Sequence, residues 1–266
     1  MVPMANLEAD RARSAGSEEI PALLYETREE TLAALLENPR FDETHLCLLL
    51  ERKDLSATLL ETIARRKQWL RPYRVRRRLA FHPHTPRLLA TRLARELYLM
   101  DLVQLSLLPS VAAELRRLAE ELILARLPQL PLGQKIALAR RGSARVVGGL
   151  LAEGHARIVR LALDNAFLTE AQVLKVLARE KLPAPVVAGI ASHPKWAQLY
   201  HVRMALVRHP AAPLARVLSF LPDLTLRDLD ALCESATISQ GLRRYIQREI
   251  ARRSAAGDPD ARRRAG

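Results

Sequence analysis

Apolar residues recur along this chain at intervals of three and four. Leu46, Leu49 and Leu50, then Leu59, Leu60, Ile63 and Ala64, follow the i, i+3, i+4 spacing of two successive amphipathic helices. Segments 183–191 and 225–233 show the same period, and Thr225 with Asp228 has the form of a capping box at a helix start. No alternating Val/Ile/Thr run of strand length interrupts this pattern. Leu and Ala dominate the apolar positions, whereas glycine (10 residues) and aromatic residues (4%) are scarce, which favours helices over strands. The pattern predicts an all-α chain.

Proline sets the punctuation. It lacks an N–H and clashes with the preceding turn, so it stands beyond a helix end or in a first turn. Junctions of the type Asn/His-Pro fall at Asn38-Pro39, His82-Pro83 and His209-Pro210, with Asn165-Ala166 a degenerate case. The spacing is 44 residues from 38 to 82 and again from 165 to 209, so each unit of 40–44 residues offers two or three helices.

A larger period contains this one. At an offset of 127 residues, segment 46–126 aligns with 173–253 without a gap and is identical at 24 of 81 positions. Trp69 meets Trp196, Tyr73 meets Tyr200, Arg76 meets Arg203, and His82-Pro83 meets His209-Pro210. Positions held in both copies are expected to be structural, because a unique site needs only one set. The two tryptophans should wedge the same inter-helix joint. Arg76 and Arg203 should bury their stems and reach a carboxylate. His82 and His209 should serve exposed carbonyls at helix ends.

The stop motif, the unit length and the helical pattern resemble HEAT/armadillo-type α-solenoids, nearest to the bacterial leucine-rich-repeat-variant branch, over roughly 31–253. The resemblance implies a right-handed α-solenoid of about five helical repeats, and a scaffold that binds macromolecules, commonly proteins, on an extended face. That branch can carry an N-terminal cysteine cluster for an iron–sulfur centre. This chain has only Cys47 and Cys233, each read as a small apolar residue, and no metal or cofactor is inferred.

Charge changes the picture next. The net charge of +13 is uneven: residues 1–64 carry 6 Lys/Arg against 13 Asp/Glu, residues 65–95 carry 11 basic residues and no acid, and the remainder carries 25 against 16. Such a belt suits a polyanion or an acidic partner. The plainer reading is an arginine-favouring composition, since only six of the 42 cations are lysine. Within the belt, Arg65, Arg66 and Lys67 align with Ser192, His193 and Pro194, and Arg71 aligns with Gln198. Arg74, Arg77 and Arg78, on one helical face, align with His201, Met204 and Ala205. These seven cations form the candidate binding surface, because the second copy is expected to fold without them.

Residues 1–19 and 254–266 read as disordered polar and basic tails around a single repeat domain over 20–253. There is no secretory h-region and no apolar run of membrane-spanning length, which points to the cytoplasm. No Gly-rich phosphate loop, H-E-x-x-H or G-x-S-x-G is present, so no catalytic residue is assigned. Gly148-Gly149 reads as close helix packing. The expected function is a non-enzymatic scaffold binding an acidic protein partner. Nucleic acid held through phosphates by the 65–95 belt is the alternative. A base-excision enzyme on a HEAT-like fold would need an unpaired aromatic residue and a carboxylate in its groove.

Overall fold

A computed structural model describes residues 4–179 and 181–255. Those residues are 70% helical and contain no strand. The chain divides into two compact units, residues 1–126 and 127–266, where sequence reasoning expected a single domain over 20–253. The division falls at the period of the duplication, so each unit contains one copy, 46–126 or 173–253.

Unit 1 comprises α1 (Met4–Ser14), α2 (Ile20–Leu23), α3 (Glu29–Leu35), α4 (Glu43–Leu49), α5 (Ala57–Arg65), α6 (Lys67–Leu70), α7 (Tyr73–Phe81), α8 (Arg87–Arg95), α9 (Leu99–Leu107) and α10 (Ala113–Arg126). Unit 2 comprises α11 (Leu132–Arg141), α12 (Ala144–Leu151), α13 (Ala156–Leu163), α14 (Glu170–Leu177), α15 (Ala184–Ser192), α16 (Tyr200–Arg208), α17 (Leu214–Phe220), α18 (Leu226–Glu234) and α19 (Gln240–Ala255). A 3-10 turn at Trp196–Gln198 stands where unit 1 has α6. Shifted by 127 residues, α5, α7 and α9 coincide with α15, α16 and α18 at both ends.

Local chemistry explains these boundaries. Asp42 caps α4 and His45 returns the bond to the Asp42 N–H; Ser56, Thr169 and Thr225 cap α5, α14 and α18. Proline stands at the N-cap of α7, α8, α11, α15 and α17. In unit 2, α11 packs on α13 and α13 on α15, while α12 packs on α14 and α14 on α16. In unit 1, α1 packs on α3, α3 on α5, α4 on α7, and α10 on α8 and α9. Buried Leu, Ile, Val and Ala side chains fill the space between the rows, among them Leu46, Leu60, Leu79, Val187 and Leu206. A Cβ at Gly148 would meet the Gln172 side chain on α14, and Gly154, with φ of 75° and Pro183 beside it, stands where only glycine fits without strain.

The N-terminal segment differs from the tail expected over 1–19. Residues 4–14 form α1, and Ala12 and Ala15 are buried against unit 1. Asn38 Nδ2 donates to the carbonyls of Ala12 (2.9 Å) and Ala15 (3.0 Å), while Arg13 Nε pairs with Glu37 at 3.0 Å. The segment reads as polar because small alanines, not large apolar residues, make its buried face. At the other end, Ser254 and Ala255 belong to α19, and the remaining tail positions lie outside the described residues.

Candidate functional site

The two units share a hydrogen-bonded frame, which separates structural from unshared residues. Asn165 repeats every bond of Asn38: its Nδ2 donates to Ala139 and Gly142, and its Oδ1 accepts from the Phe167 N–H as Asn38 Oδ1 accepts from Arg40. Tyr73 OH donates to Asp101 and accepts from the Tyr98 N–H; Tyr200 OH donates to Asp228 and accepts from the Thr225 N–H. Burial and then the Asp101 carboxylate push the Tyr73 phenol up to about 12. The Tyr200 and Thr225 hydroxyls hold Asp228 below the usual carboxylate range. Arg76 reaches Glu96 at 3.0 Å and Arg203 reaches Asp223 at 2.7 Å. At the end of each unit, Arg126 donates to Leu97 and Arg95 carbonyls, and Arg253 to those of Leu224 and Leu221.

The histidines and tryptophans belong to the same frame, with local differences. His82, 4% exposed, accepts the His84 N–H at Nδ1 and so donates from Nε2 to the Arg52 carbonyl at 2.7 Å. Burial lowers its pKa from the ordinary 6.5. His209 accepts the Ala211 N–H in the same way, but its Nε2 has no partner among the described residues. His82 and His209 each precede the proline of their junction, Pro83 and Pro210. Trp69 and Trp196 are both buried. Trp196 Nε1 donates to the Leu163 carbonyl at 2.8 Å, whereas the equivalent Leu36 carbonyl is taken by Arg66 at 2.5 Å. Trp69 instead meets Phe41 edge-on, with ring centroids 5.6 Å apart.

That bond changes the standing of one candidate cation, and two more are also engaged within unit 1. Arg66 further contacts Glu37 at 3.2 Å; Arg77 binds Asp101 at 2.6 Å and Gln104 at 2.7 Å; Arg78 binds Glu51 at 2.9 Å. Arg65 lies 3.5 Å from Glu61 and stays well exposed. Lys67, Arg71 and Arg74 have no carboxylate partner among the described residues, and all three are exposed. Burial pushes the thiols of Cys47 and Cys233 up, and both are only half-buried.

Glu61, Arg65, Lys67 and Arg71 form one wall of a groove of about 1120 Å³ within unit 1. The other wall is α8, which contributes Arg87, Leu88, Leu89 and Arg92; Ala64, Leu70 and Leu93 lie between, and Arg76 with Glu96 closes the groove. Leu88 is 86% exposed. Arg87 pairs with Glu114 at 2.7 Å, while Arg92 has no carboxylate partner among the described residues. Sequence reasoning did not single out Arg87 or Arg92, although the same offset exposes them: they align with Leu214 and Ser219.

Unit 2 fills the corresponding space with its own side chains. Leu89 and Leu93 are replaced there by Arg216 and Phe220. Arg216 Nε reaches across from α17 to the Ala191 carbonyl of α15 at 2.9 Å, and Ala191 is the counterpart of groove residue Ala64. The guanidiniums of Arg216 and Arg203 lie over the Phe220 ring at 5.5 and 5.7 Å. The groove of unit 1 therefore exists because two leucines stand where unit 2 has an arginine and a phenylalanine.

Among the described residues, no group of three or more His, Cys, Asp or Glu side chains is placed to hold a metal ion, and no helix is long and apolar enough to cross a membrane. Comparison with family models, curated proteins and solved structures finds no match.

Proposed function

We propose that the chain is a non-enzymatic interaction scaffold of HEAT-like helical repeats, which binds an acidic protein partner through the basic surface of unit 1. The observation that carries this reading is the unequal charge of two copies built on one frame. Lys67, Arg71 and Arg74 are exposed and lack carboxylate partners among the described residues, and Pro194, Gln198 and His201 replace them in unit 2. Folding does not require these cations, since unit 2 forms the counterparts of α5 and α7 without them and replaces α6 by a 3-10 turn. The two rows of helices within unit 2, and the 127-residue period, support the kinship with HEAT-type repeats. Clustered cations set association rate and orientation for an acidic partner.

Titration of the full chain with poly-glutamate and with duplex DNA, at about 50 and about 200 mM salt, tests the reading. Poly-glutamate is expected to bind, and a Lys67→Ala/Arg71→Ala/Arg74→Ala variant to lose that binding with an unchanged circular dichroism spectrum. Equal binding by the variant would remove the basic surface from the account. DNA binding tighter than poly-glutamate, with a steep salt dependence, would put nucleic acid in the partner's place.

A further inference from the structure

Resting on that reading, we infer that the groove between α5–α6 and α8 of unit 1 receives one amphipathic helix whose apolar stripe is flanked on both sides by carboxylates. The floor and rims dictate this chemistry. Leu70, Leu88 and Leu89 offer an apolar strip above the buried Leu93, and Leu88 projects into solvent at 86% exposure. Isolated exposed leucines are ordinary, but this one lies in a groove with three other leucines. Cations stand on both sides of the strip: Lys67 and Arg71, without carboxylate partners among the described residues, beside the Arg65–Glu61 pair on one wall, and Arg92, likewise without one, beside the Arg87–Glu114 pair on the other. A nucleic-acid backbone would use the cations and leave the leucines unpaired with anything apolar. An acyl chain calls for an enclosing cavity that buries most of its surface, whereas Leu88 leaves this groove open along α8. A helix of roughly 10–12 Å diameter presents a stripe at i, i+3, i+4 and i+7 with charges on either flank, matching both features.

Unit 2 supplies the internal control. Its equivalent space holds Arg216 and Phe220, and its rim positions carry Ser192, Pro194, Gln198, Leu214 and Ser219. Cation rim and open floor are lost together. Apolar floor and charged rim thus vary as one device, which argues for a single occupant needing both.

The test uses the full chain and a fluorescein-labelled peptide of roughly 18 residues, about 27 Å as a helix, with leucines at i, i+3, i+4 and i+7 flanked by glutamates. Fluorescence anisotropy should give binding at least about tenfold tighter than for poly-glutamate of equal charge. Leu88→Gln, neutral and at an exposed position, should weaken the peptide about tenfold or more while leaving poly-glutamate binding within about twofold. Leu89→Arg/Leu93→Phe, which imports the unit 2 side chains, should likewise weaken the peptide relative to poly-glutamate. Leu88→Gln keeps the test valid should the double variant fail to fold. If the peptide binds no better than poly-glutamate, or if Leu88→Gln leaves it unchanged, the groove inference falls while the acidic-partner reading stands. If neither acidic probe binds, both fall. Displacement of the peptide by equimolar oleate, tighter binding of duplex DNA, or a sedimenting dimer abolished by Leu88→Gln would each overturn the assignment.

Discussion

His82 shows how one buried side chain can join a helix end to the preceding repeat. Its Nδ1 closes the local turn on His84 and its Nε2 holds the Arg52 carbonyl 30 positions back. Only a neutral imidazole accepts at one nitrogen and donates at the other. Burial lowers its pKa, so protons bind the unfolded chain more readily than the folded one as pH falls below 6.5. The contribution of His82 is therefore fully present above that value and lost on acidification towards the lower folded pKa. His82→Gln should cost about 1–3 kcal/mol near neutral pH, from the lost pairing of a buried group. That deficit should shrink as pH drops from about 7.5 to about 5, because the wild type alone carries the protonation penalty. Thermal melts of both proteins across this range check it; a constant difference would mean that His82 is not held neutral. Asn38 and Asn165 make the same pair of connections with an amide, so those junctions should lack this pH dependence.

At the scale of elements, α1 is the informative case. Its buried face carries Ala9 and Ala12, Ala15 is buried just beyond its end, and the carbonyls of Ala12 and Ala15 are the acceptors of Asn38 Nδ2. Removing residues 1–16 should leave the buried amide without partners, a loss of about 1–3 kcal/mol before any packing is counted. For a chain of this size that corresponds to a fall of roughly 2–12 °C in Tm. Calorimetry of the truncated chain tests this, and an unchanged Tm would return the segment to a dispensable tail. The helix was illegible as part of the fold because alanines spaced among charges give no apolar stripe, and because identities at the 127-residue offset thin out before position 46. Central elements were legible for the opposite reason. Leucine periodicity and proline stops fix their ends, so α5, α7 and α9 return as α15, α16 and α18. The candidate surface was half legible. Comparing copies located the cation excess, but Arg66, Arg77 and Arg78 find acceptors on sequence-distant segments that no local pattern could supply. The floor of the groove was hidden too, since Leu89 and Leu93 look like ordinary core leucines until Arg216 and Phe220 are seen filling the same place.

Over the whole molecule, duplication has produced two units with one frame and different surfaces. The shared bonds of Asn38/Asn165, Tyr73/Tyr200, Arg76/Arg203 and Arg126/Arg253 keep helices in register, so side chains outside that set can diverge at little cost to folding. One unit closed its α15–α17 gap with Arg216 and Phe220, and the other left the equivalent space open and ringed it with cations. A chain of this kind should bind one acidic amphipathic peptide, not two. The stoichiometry should be transferable: Gln198→Arg, Ala215→Leu, Arg216→Leu, Ser219→Arg and Phe220→Leu give unit 2 the three α8 leucines of the unit 1 groove and a cation on each side of them. Phe220→Leu alone removes buried aromatic area, with a cost of about 1–3 kcal/mol, so folding must be verified by circular dichroism first. In a folded quintuple variant, isothermal titration with the glutamate-flanked leucine peptide should move from one site per chain to two, and adding Leu88→Gln should weaken only the original one. A second site that never appears in the folded variant would show that the leucine floor and arginine rim are not sufficient, and that some feature peculiar to unit 1 is needed as well.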